Sequence, residues 1–433
     1  MMIHLTATAA EEITPSNDLV VTLIYKDLAT ASHQQATLLL RCTELLPLMS
    51  TASPSAFDLF LIAACTYGVD RMVQRRPNSV DGWSRELSVT FPVRNITLWN
   101  ELQTEVQNLL SFLTGDYWTV HFSQWTMEWP APTTDAAFTD LRIDQVNLFS
   151  GGLDSLIGAI DQLAKYPDKN LLLVSHYDQD IKGAKGDQNE LYPVLAEEYE
   201  KQLRRIDPVA VHLSDSSVGG RETTLRSRSL MFISLGVLAS TACGNQPPVI
   251  VPENGSVSLN FPLSSSRRSA CSTRTTHPRL LSNVQDLLIK LGLPIEVKNP
   301  YENATKGKMV NSCENLELLR RTVGLSNSCG KRGHRTHWTN REASHCGICM
   351  PCVYRQAALM GFDDETTYGN VFGQKRREDI SACQEFLNKP LSRNEIRKEL
   401  LINGLNDLSK LDRYAEVVEQ TREELRRWTT SIS

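Results

Sequence analysis

The sequence predicts an α/β protein with a doubly wound parallel sheet at its centre, because short apolar strands alternate with helical segments after residue 142. The strands are expected at 146–149, 171–175, 209–213, 249–251 and 295–297. Helical spacing of apolar residues is found between them, at 155–165, 190–205 and 226–241. Strands that alternate with helices are typical of parallel sheets covered on both faces. Ligands bind such sheets at the carboxyl ends of the strands.

The flanking segments follow different patterns. Residues 1–142 predict an N-terminal α+β domain, with strands at 19–25, 85–93 and 117–125 and helices at 57–72 and 98–113. A Pro- and Thr-rich stretch at 129–134 is expected to be a linker. Residues 376–433 predict a helical C-terminal extension, with amphipathic helices at 391–405 and 411–428. The parallel-sheet domain is therefore expected to span residues 143–375.

Composition and charge limit the class of protein. Hydrophobic residues make up 41% of the 433 residues, charged residues 22%, and the formal net charge is −5. This net negative charge argues against a protein that binds the nucleic-acid backbone mainly through an overall positive surface potential. The longest apolar stretch, 230–243, is too short to cross a bilayer. The chain begins without a basic segment followed by an apolar one, so we expect a cytoplasmic protein without a membrane partner.

A glycine turn after the first predicted strand of the parallel sheet is the strongest candidate ligand site. It reads Ser150-Gly151-Gly152-Leu153-Asp154-Ser155 and leads into a helix. Glycines allow close backbone approach, and the amide groups at a helix N-terminus stabilise anions. No Lys follows the glycines, so the turn is not a Walker A loop. Asp154 would repel phosphate unless it works with Mg²⁺; the structural alternative is a turn with a capped helix.

Four cysteines form a second local cluster. Cys346, Cys349 and Cys352 lie within seven residues, and Cys329 is a short loop upstream. Four thiolates are a typical ligand set for structural Zn²⁺. The alternatives are buried free thiols, a redox pair or an iron–sulfur cluster, and His334 or His345 could replace Cys329.

These motifs carry a resemblance to known families. The glycine turn resembles that of the PP-loop ATP pyrophosphatases, which belong to the adenosine-nucleotide alpha-hydrolase (HUP) class. The turn and the cysteines, followed by Cys352-Val-Tyr-Arg355, together resemble the QueC family of 7-cyano-7-deazaguanine synthases over residues 144–372. Two weaker matches lie at 226–235 and 299–310. The added N-terminal domain and C-terminal extension are similar to the QueC-like QatC-type proteins of bacterial anti-phage operons.

The resemblance implies an enzyme. It would use ATP to activate a 7-carboxy-7-deazaguanine-type carboxylate as an acyl-adenylate, and an amine, expected to belong to a partner protein from the same operon, would displace AMP. One alternative is a QueC-type synthase that uses ammonia and forms the nitrile. Another is a PP-loop enzyme that modifies tRNA, with Cys271 or Cys313 as the reactive thiol. A zinc-stabilised scaffold without activity and a homodimer both remain open.

Charged side chains near the predicted strand ends are the candidate site residues. The expected catalytic residues are Asp154, Arg228, Arg274 and Lys306, because cations are needed where charge builds at the α-phosphate and carboxylate. The glycine turn, from Ser150 to Ser155, would bind ATP together with His176 and Arg226. The expected substrate-binding residues are Glu253, Asn254, Arg274 and His277. The expected cofactors are ATP, Mg²⁺ and Zn²⁺, with Zn²⁺ on the four cysteines. For the arginines, Lys306, Glu253 and the histidines, surface, turn or capping roles are the alternatives.

Overall fold

The computed structural model describes residues 2–6, 19–26, 33–41, 43–49, 51–125, 142–179, 183–215, 221–222, 224–262, 274–362, 364–371 and 378–432. The strands are β1 Met2–Thr6, β2 Leu19–Lys26, β3 His33–Arg41, β4 Glu86–Val93, β5 Tyr117–Gln124, β6 Gln145–Leu148, β7 Leu171–Val174, β8 His176–Asp178, β9 Leu203–Arg205, β10 Val209–Asp215, β11 Val249–Ile250 and β12 Val297–Lys298. The helices are α1 Leu46–Met49, α2 Pro54–Met72, α3 Arg75–Asn78, α4 Ile96–Glu101, α5 Gln103–Thr114, α6 Leu153–Lys165, α7 Ala184–Tyr199, α8 Arg228–Ala242, α9 Gly255–Ser258, α10 Pro278–Lys290, α11 Lys306–Asn311, α12 Leu316–Thr322, α13 Met350–Ala358, α14 Glu378–Asn388, α15 Arg393–Ile402 and α16 Leu411–Ser431.

Five parallel strands form the sheet that carries the glycine turn. Their order is β12-β11-β6-β7-β9, and every neighbouring pair is parallel. In chain order the first strand, β6, therefore lies at the centre, with the second and third on one side and the fourth and fifth on the other. Chain connections leave β6 and β11 in opposite directions, which makes the crevice between their carboxyl ends a topological switch point.

Helices cover both faces of this sheet. Val146 and Leu148 share a core with α8 and α10, whereas Leu171 and Leu173 pack with α6 and α7. The alternation follows from the two-residue side-chain period of a strand, and both faces are apolar because both are buried. The predicted α/β class with a parallel sheet is confirmed.

A second, seven-stranded sheet joins the N-terminal region to the rest of the chain. Its order is β5-β4-β1-β2-β3-β10-β8, so two of its strands come from beyond residue 142. β7 and β8 are consecutive, and the chain passes from one sheet to the other at Ser175. Residues 1–142 therefore do not form a sheet of their own, although the sequence predicts them as a separate domain.

One predicted strand lies in a different sheet from the one expected. The prediction places 209–213 in the parallel sheet, but β10 pairs antiparallel with β3 and parallel with β8. The short strand β9 takes the place expected for 209–213 in the parallel sheet, beside β7. The sequence pattern assigns β9 to a helix over 190–205. Pro208 separates β9 from β10; proline lacks an N–H and interrupts the strand, so the chain turns into the second sheet there.

Packing between helices fixes the N-terminal region against the parallel sheet. In α2, residues 56–72 are all buried, because this helix lies between the seven-stranded sheet and α8. A helix that is buried on all sides is expected to be apolar all round. The helix predicted at 98–113 is divided at Leu102 into α4 and α5.

The C-terminal helices pack on the far side of the cysteine cluster. α16 contacts α13 and α9, and α15 packs along α16, in agreement with the predicted helical extension. Among the described residues, no helix has both the length and the apolar character to span a bilayer. The predicted linker at 129–134 and Cys271 lie outside the described residues.

Candidate active site

The glycine turn lies between the end of β6 and the start of α6, as the sequence predicts. Gly151 has a φ of +82°, a conformation that only glycine adopts readily. A β-carbon at this position would lie 3.0 Å from Cβ of Asp187 and 3.3 Å from the backbone nitrogen of Gln188. Positive φ and the close approach of α7 both require glycine here.

Two serines brace the turn. The backbone N–H of Ser150 donates to Oγ of Ser155 at 3.2 Å, and this hydroxyl donates to the carbonyl of Gly152 at 2.9 Å. The Oγ of Ser150 accepts from the backbone N–H of Gly152 at 3.3 Å. The amide groups in the first turn of α6 have no carbonyl one turn earlier to bond, so they are available to an anion.

Asp154 is the centre of a buried polar cluster. Its carboxylate pairs with the ammonium of Lys306 and accepts from the side-chain amide of Asn254 at 2.6 Å. The same amide donates to Glu253 at 3.3 Å. Asn254 also caps α9 by accepting from the backbone N–H of Val257. Residues 154, 253, 254 and 306, which the sequence proposes for three different roles, therefore meet at one point.

Burial and neighbouring charges shift the pKa values of Asp154 and Glu253 in opposite directions. Burial would raise the pKa of Asp154, but Lys306 and the hydrogen bonds around it lower that pKa to about 2. Burial and the neighbouring Asp154 raise the pKa of Glu253 well above its usual range. One of the pair thus carries the negative charge, and the other keeps its proton.

A cleft of about 340 Å³ opens above this cluster and the glycine turn. Its walls come from the turn, the chain that follows β11, the starts of α7, α8, α11 and α13, and the segment around Cys329. The lining residues are Ser150, Gly152, Leu153, Asp154, Ser155, Ala184, Asp187, Arg228, Pro252, Glu253, Val257, Lys306, Asn327, Ser328, Cys329, Gly330, Arg332, Pro351 and Tyr354. Three cations, at 228, 306 and 332, line it together with three carboxyl groups, at 154, 187 and 253, and Lys306 and Arg332 pair with the first two of these.

A second chamber, of about 250 Å³, adjoins the cleft. We call it the ring chamber. It lies between β6, β11 and α8, and the wall surface that it exposes is mostly apolar. The two cavities share Ser150, Ser155, Arg228, Pro252 and Glu253. The other lining residues are Leu148, Leu225, Ser229, Phe232, Ile233, Val251, Thr275 and Thr276.

Arg228 stands at the junction of the two cavities. It is the first residue of α8, and its Nε donates to Nε2 of His176 at 3.2 Å. Burial and Arg228 lower the pKa of His176 well below its usual range, so the imidazole stays neutral and can accept. The ring of His176 also meets Phe232 edge-on, with centroids 4.8 Å apart. His176 holds the arginine and the chamber wall from behind and does not itself line either cavity.

Three predicted site residues lie away from the cleft. Arg226 donates to the carbonyl of Thr114 at 2.9 Å, on the N-terminal side of α8. Arg274 donates to the carbonyl of Phe112 at 3.0 Å and lies over its ring. His277 caps α10 by accepting from the backbone N–H of Arg279. These contacts give the three residues structural roles, and none lines the cleft or the ring chamber.

The four predicted cysteines come together. The sulfur atoms of Cys329, Cys346, Cys349 and Cys352 all lie within 4.8 Å of one another. Sγ of Cys352 is 3.8 Å from that of Cys346 and 3.4 Å from that of Cys349. Tetrahedral Zn²⁺ with bonds of about 2.3 Å places its sulfurs about 3.8 Å apart, so the cluster fits this ion. His345 instead bonds Ser328 and Ser344.

The segment from 327 to 332 lies between the cluster and the cleft, and Cys329 is its only residue among the predicted site residues. Ser328, Cys329 and Gly330 line the cleft directly. Arg332 pairs with Asp187 at the start of α7 and so spans the cleft mouth. In the sequence, a run of basic residues begins at Lys331 and includes Arg332, but Asp187 has no local pattern that marks it.

The C-terminal helix supports two of the site elements. Glu424 of α16 accepts from the hydroxyl of Thr305 and from the backbone N–H of Gly307 at 3.3 Å. Thr421 and Ser256 share a hydrogen bond of 2.6 Å. Because these contacts flank Lys306 and Asn254, the predicted extension holds α11 and α9 in place around Asp154.

Fold and site together define an α/β protein with a glycine-turn cleft at the switch point of a parallel sheet and a four-cysteine cluster that fits a metal ion. No family model, curated protein or solved structure matches the chain.

Proposed function

We propose that the chain is a PP-loop-type enzyme that uses ATP to activate a carboxylate as an acyl-adenylate. The observation that carries the proposal is the position of Arg228, at the junction of a polar cleft and a largely apolar chamber. An adenylating enzyme needs a cation there, because negative charge develops on the α-phosphate as pyrophosphate leaves. The resemblance to the QueC family supports a 7-carboxy-7-deazaguanine-type carboxylate as the substrate.

The nucleotide would lie across the two cavities. The amides at the start of α6 would bind the outer phosphates, with Lys306 and Arg332 as counter-charges. The adenine would enter the ring chamber against Phe232, where apolar walls suit a flat base. This arrangement brings the α-phosphate to Arg228.

The carboxylate substrate would occupy the outer half of the cleft, away from the ring chamber. Tyr354, Pro351 and Val257 form that wall, and an aromatic side chain offers a stacking surface for a heterocycle. A carboxylate oxygen would attack the α-phosphorus and release pyrophosphate. The amine nitrogen would then attack the acyl carbon, lose a proton and displace AMP.

Two metal ions fit the residues present. Mg²⁺ prefers carboxylate oxygens. Asp154 offers one beside the phosphate-binding turn, and Glu253 would offer a second on giving up its proton; the ion would neutralise phosphate charge. Zn²⁺ on the four cysteines would be structural, because protein ligands fill its coordination shell.

The amine acceptor is proposed to belong to a protein encoded in the same operon, as the resemblance to the QatC-type anti-phage proteins implies. With ammonia as the acceptor the product is an amide, and a second ATP-dependent activation that dehydrates this amide would make the chain a nitrile synthase instead. Cys313 belongs to the buried core around α6 and α12, and burial and the neighbouring Asp161 raise the pKa of its thiol to about 12. This does not favour a thiolating tRNA enzyme, which needs a reactive thiolate.

The decisive experiment is carboxylate-dependent exchange of labelled pyrophosphate into ATP, with wild type against Asp154→Ala. We expect exchange only with wild type and only when the deazaguanine carboxylate is present. Mass spectrometry of the co-expressed operon neighbour then tests the acceptor: a gain of one deazaguanine amide supports the protein ligase, and free nitrile formed with ammonia supports the synthase. Absence of exchange in wild type would refute the adenylation chemistry.

A further inference from the structure

Described residues of the segment that leads into α8 make several hydrogen bonds to the N-terminal region. The backbone N–H of Glu222 donates to the carbonyl of Arg71 at 2.8 Å. The carboxylate of Glu222 accepts from the backbone N–H of Arg75 at 3.0 Å. Arg226 donates to the carbonyl of Thr114 at 2.9 Å. The residues just before α8 therefore take their position from residues about 110 to 150 places earlier in the chain.

Asp70 makes the contact closest to the helix itself. Its Oδ2 accepts from both the hydroxyl of Ser227, at 2.9 Å, and the backbone N–H of the same residue, at 3.3 Å. Ser227 is the N-cap residue of α8, yet its own side chain makes no capping bond within the helix. A carboxylate at this position is favourable because the helix N-terminus carries partial positive charge.

A buried ion network fixes Asp70 in turn. Its Oδ1 accepts from Arg85 at 2.7 Å and from Arg75 at 3.0 Å. Both arginines also pair with Asp116, at 2.7 and 2.8 Å. All four side chains are at most 3% exposed. Asp70 is thus ionised and immobile, and it directs its second oxygen at Ser227.

We infer that Asp70 is a positioning residue of the proposed active site: it holds the first turn of α8, and with it Arg228, at the junction of the cleft and the ring chamber. The inference rests on the function proposed above. Arg228 directly follows Ser227, and His176 orients its guanidinium from the other side. A displacement of about 1 Å in a group that contacts the reacting atoms costs up to about a hundredfold in rate. The N-terminal region is therefore part of the catalytic apparatus.

The chain provides a matched control for this inference. Asp70→Asn and Asp116→Asn each remove one acid from the same buried network, but only Asp70 contacts Ser227. We expect both variants to lose thermal stability, whereas only Asp70→Asn lowers kcat of pyrophosphate exchange, by about tenfold. Ser227→Ala should lower kcat similarly with little loss of stability, and Ser227→Thr, which keeps the hydroxyl, should restore it. Ser227→Ala also provides the test if the Asp70 variant does not fold.

Two results would overturn the inference. One is an equal loss of kcat in Asp70→Asn and Asp116→Asn. The other is an additive effect of Ser227→Ala on top of Arg228→Ala, because a residue that acts through Arg228 has no further effect once Arg228 is gone. A wild type without exchange would instead refute the proposed function. Amide hydrogen exchange over 224–232 then still tests whether Asp70 holds this turn. Faster exchange in Asp70→Asn than in Asp116→Asn supports that role, and equal rates in the two variants refute it.

Discussion

The backbone N–H of Asn327 donates to the carbonyl oxygen of Gly151 at 2.9 Å. This bond joins the segment that leads to the cysteine cluster directly to the glycine turn. The side-chain oxygen of Asn327 also fixes Cys329, whose backbone N–H donates to Oδ1 at 2.9 Å. Asn327 therefore links the cysteine cluster to the glycine turn.

Loss of the metal is expected to weaken nucleotide binding as well as stability. Structural Zn²⁺ contributes about 10–16 kcal/mol of apparent binding free energy to small zinc-dependent folds, so Cys349→Ser should release the ion and free residues 327–332 from the cleft wall. We expect ATP affinity to fall at least about tenfold, measured by calorimetry, with zinc content measured by mass spectrometry. Cys65→Ser is the control, because Cys65 is equally buried but lies in α2. Unchanged ATP affinity in a zinc-free Cys349→Ser protein would show that the cysteine cluster does not support the nucleotide site.

Removing Lys306 should destabilise the protein more than removing its whole ion pair. Lys306→Met leaves Asp154 as an uncompensated buried charge, and breaking such pairs costs about 3–5 kcal/mol. The double variant Asp154→Asn/Lys306→Met should recover part of that stability but not ATP binding. Urea unfolding measures the stabilities, with the exposed Lys308→Met on the same helix as control. The pairing is wrong if Lys306→Met unfolds at the same urea concentration as the control.

Phe232 in the ring chamber and Tyr354 in the cleft should affect the KM of different substrates. Base–aromatic stacking contributes about 1–3 kcal/mol, so Phe232→Ala should raise KM for ATP by about tenfold and leave KM for the carboxylate unchanged. Tyr354→Ala should do the opposite. Tyr354→Phe keeps the ring and should behave like wild type in the pyrophosphate-exchange assay. If both alanine variants raise the same KM, the proposed assignment of the two cavities fails.

The local motifs of this site were predictable from the sequence, but the long-range contacts were not. Ser150 to Ser155 and the three cysteines at 346–352 are short runs in which spacing alone brings the groups together. Arg226 and Arg228 are only two residues apart, yet α8 begins between them. The first therefore contacts the N-terminal region and the second the cleft. No sequence period indicates where that helix starts.

Tertiary packing also decides the roles of Arg274 and His277. Both lie against Phe112, a residue more than 160 positions earlier, because α10 packs on α5. Their basic character suggested anion binding, but the contact that fixes them depends on the fold of the N-terminal region. In the same way, the position of β10 depends on the free edge of β3, which a strand pattern cannot reveal.

Stability should depend on pH through Asp58, a buried acid of α2. Its Oδ2 accepts from the backbone N–H of Arg94 at 2.9 Å and from Nε1 of Trp99 at 3.0 Å, while Oδ1 has no hydrogen-bond partner among the described residues. Burial raises the pKa of Asp58 from 3.8 to about 6. Its contribution to stability is therefore full below pH 3.8 and is lost as the pH rises through 6, because the folded state binds the proton more tightly than the unfolded state. A shift of this size corresponds to about 3 kcal/mol.

Asp58→Asn lacks the titration, so wild type should lose up to about 3 kcal/mol relative to this variant between pH 4 and 7, as measured by urea unfolding. The exposed Asp207→Asn should leave the wild-type pH profile unchanged, and a constant difference between wild type and Asp58→Asn across this range would show that Asp58 does not titrate there.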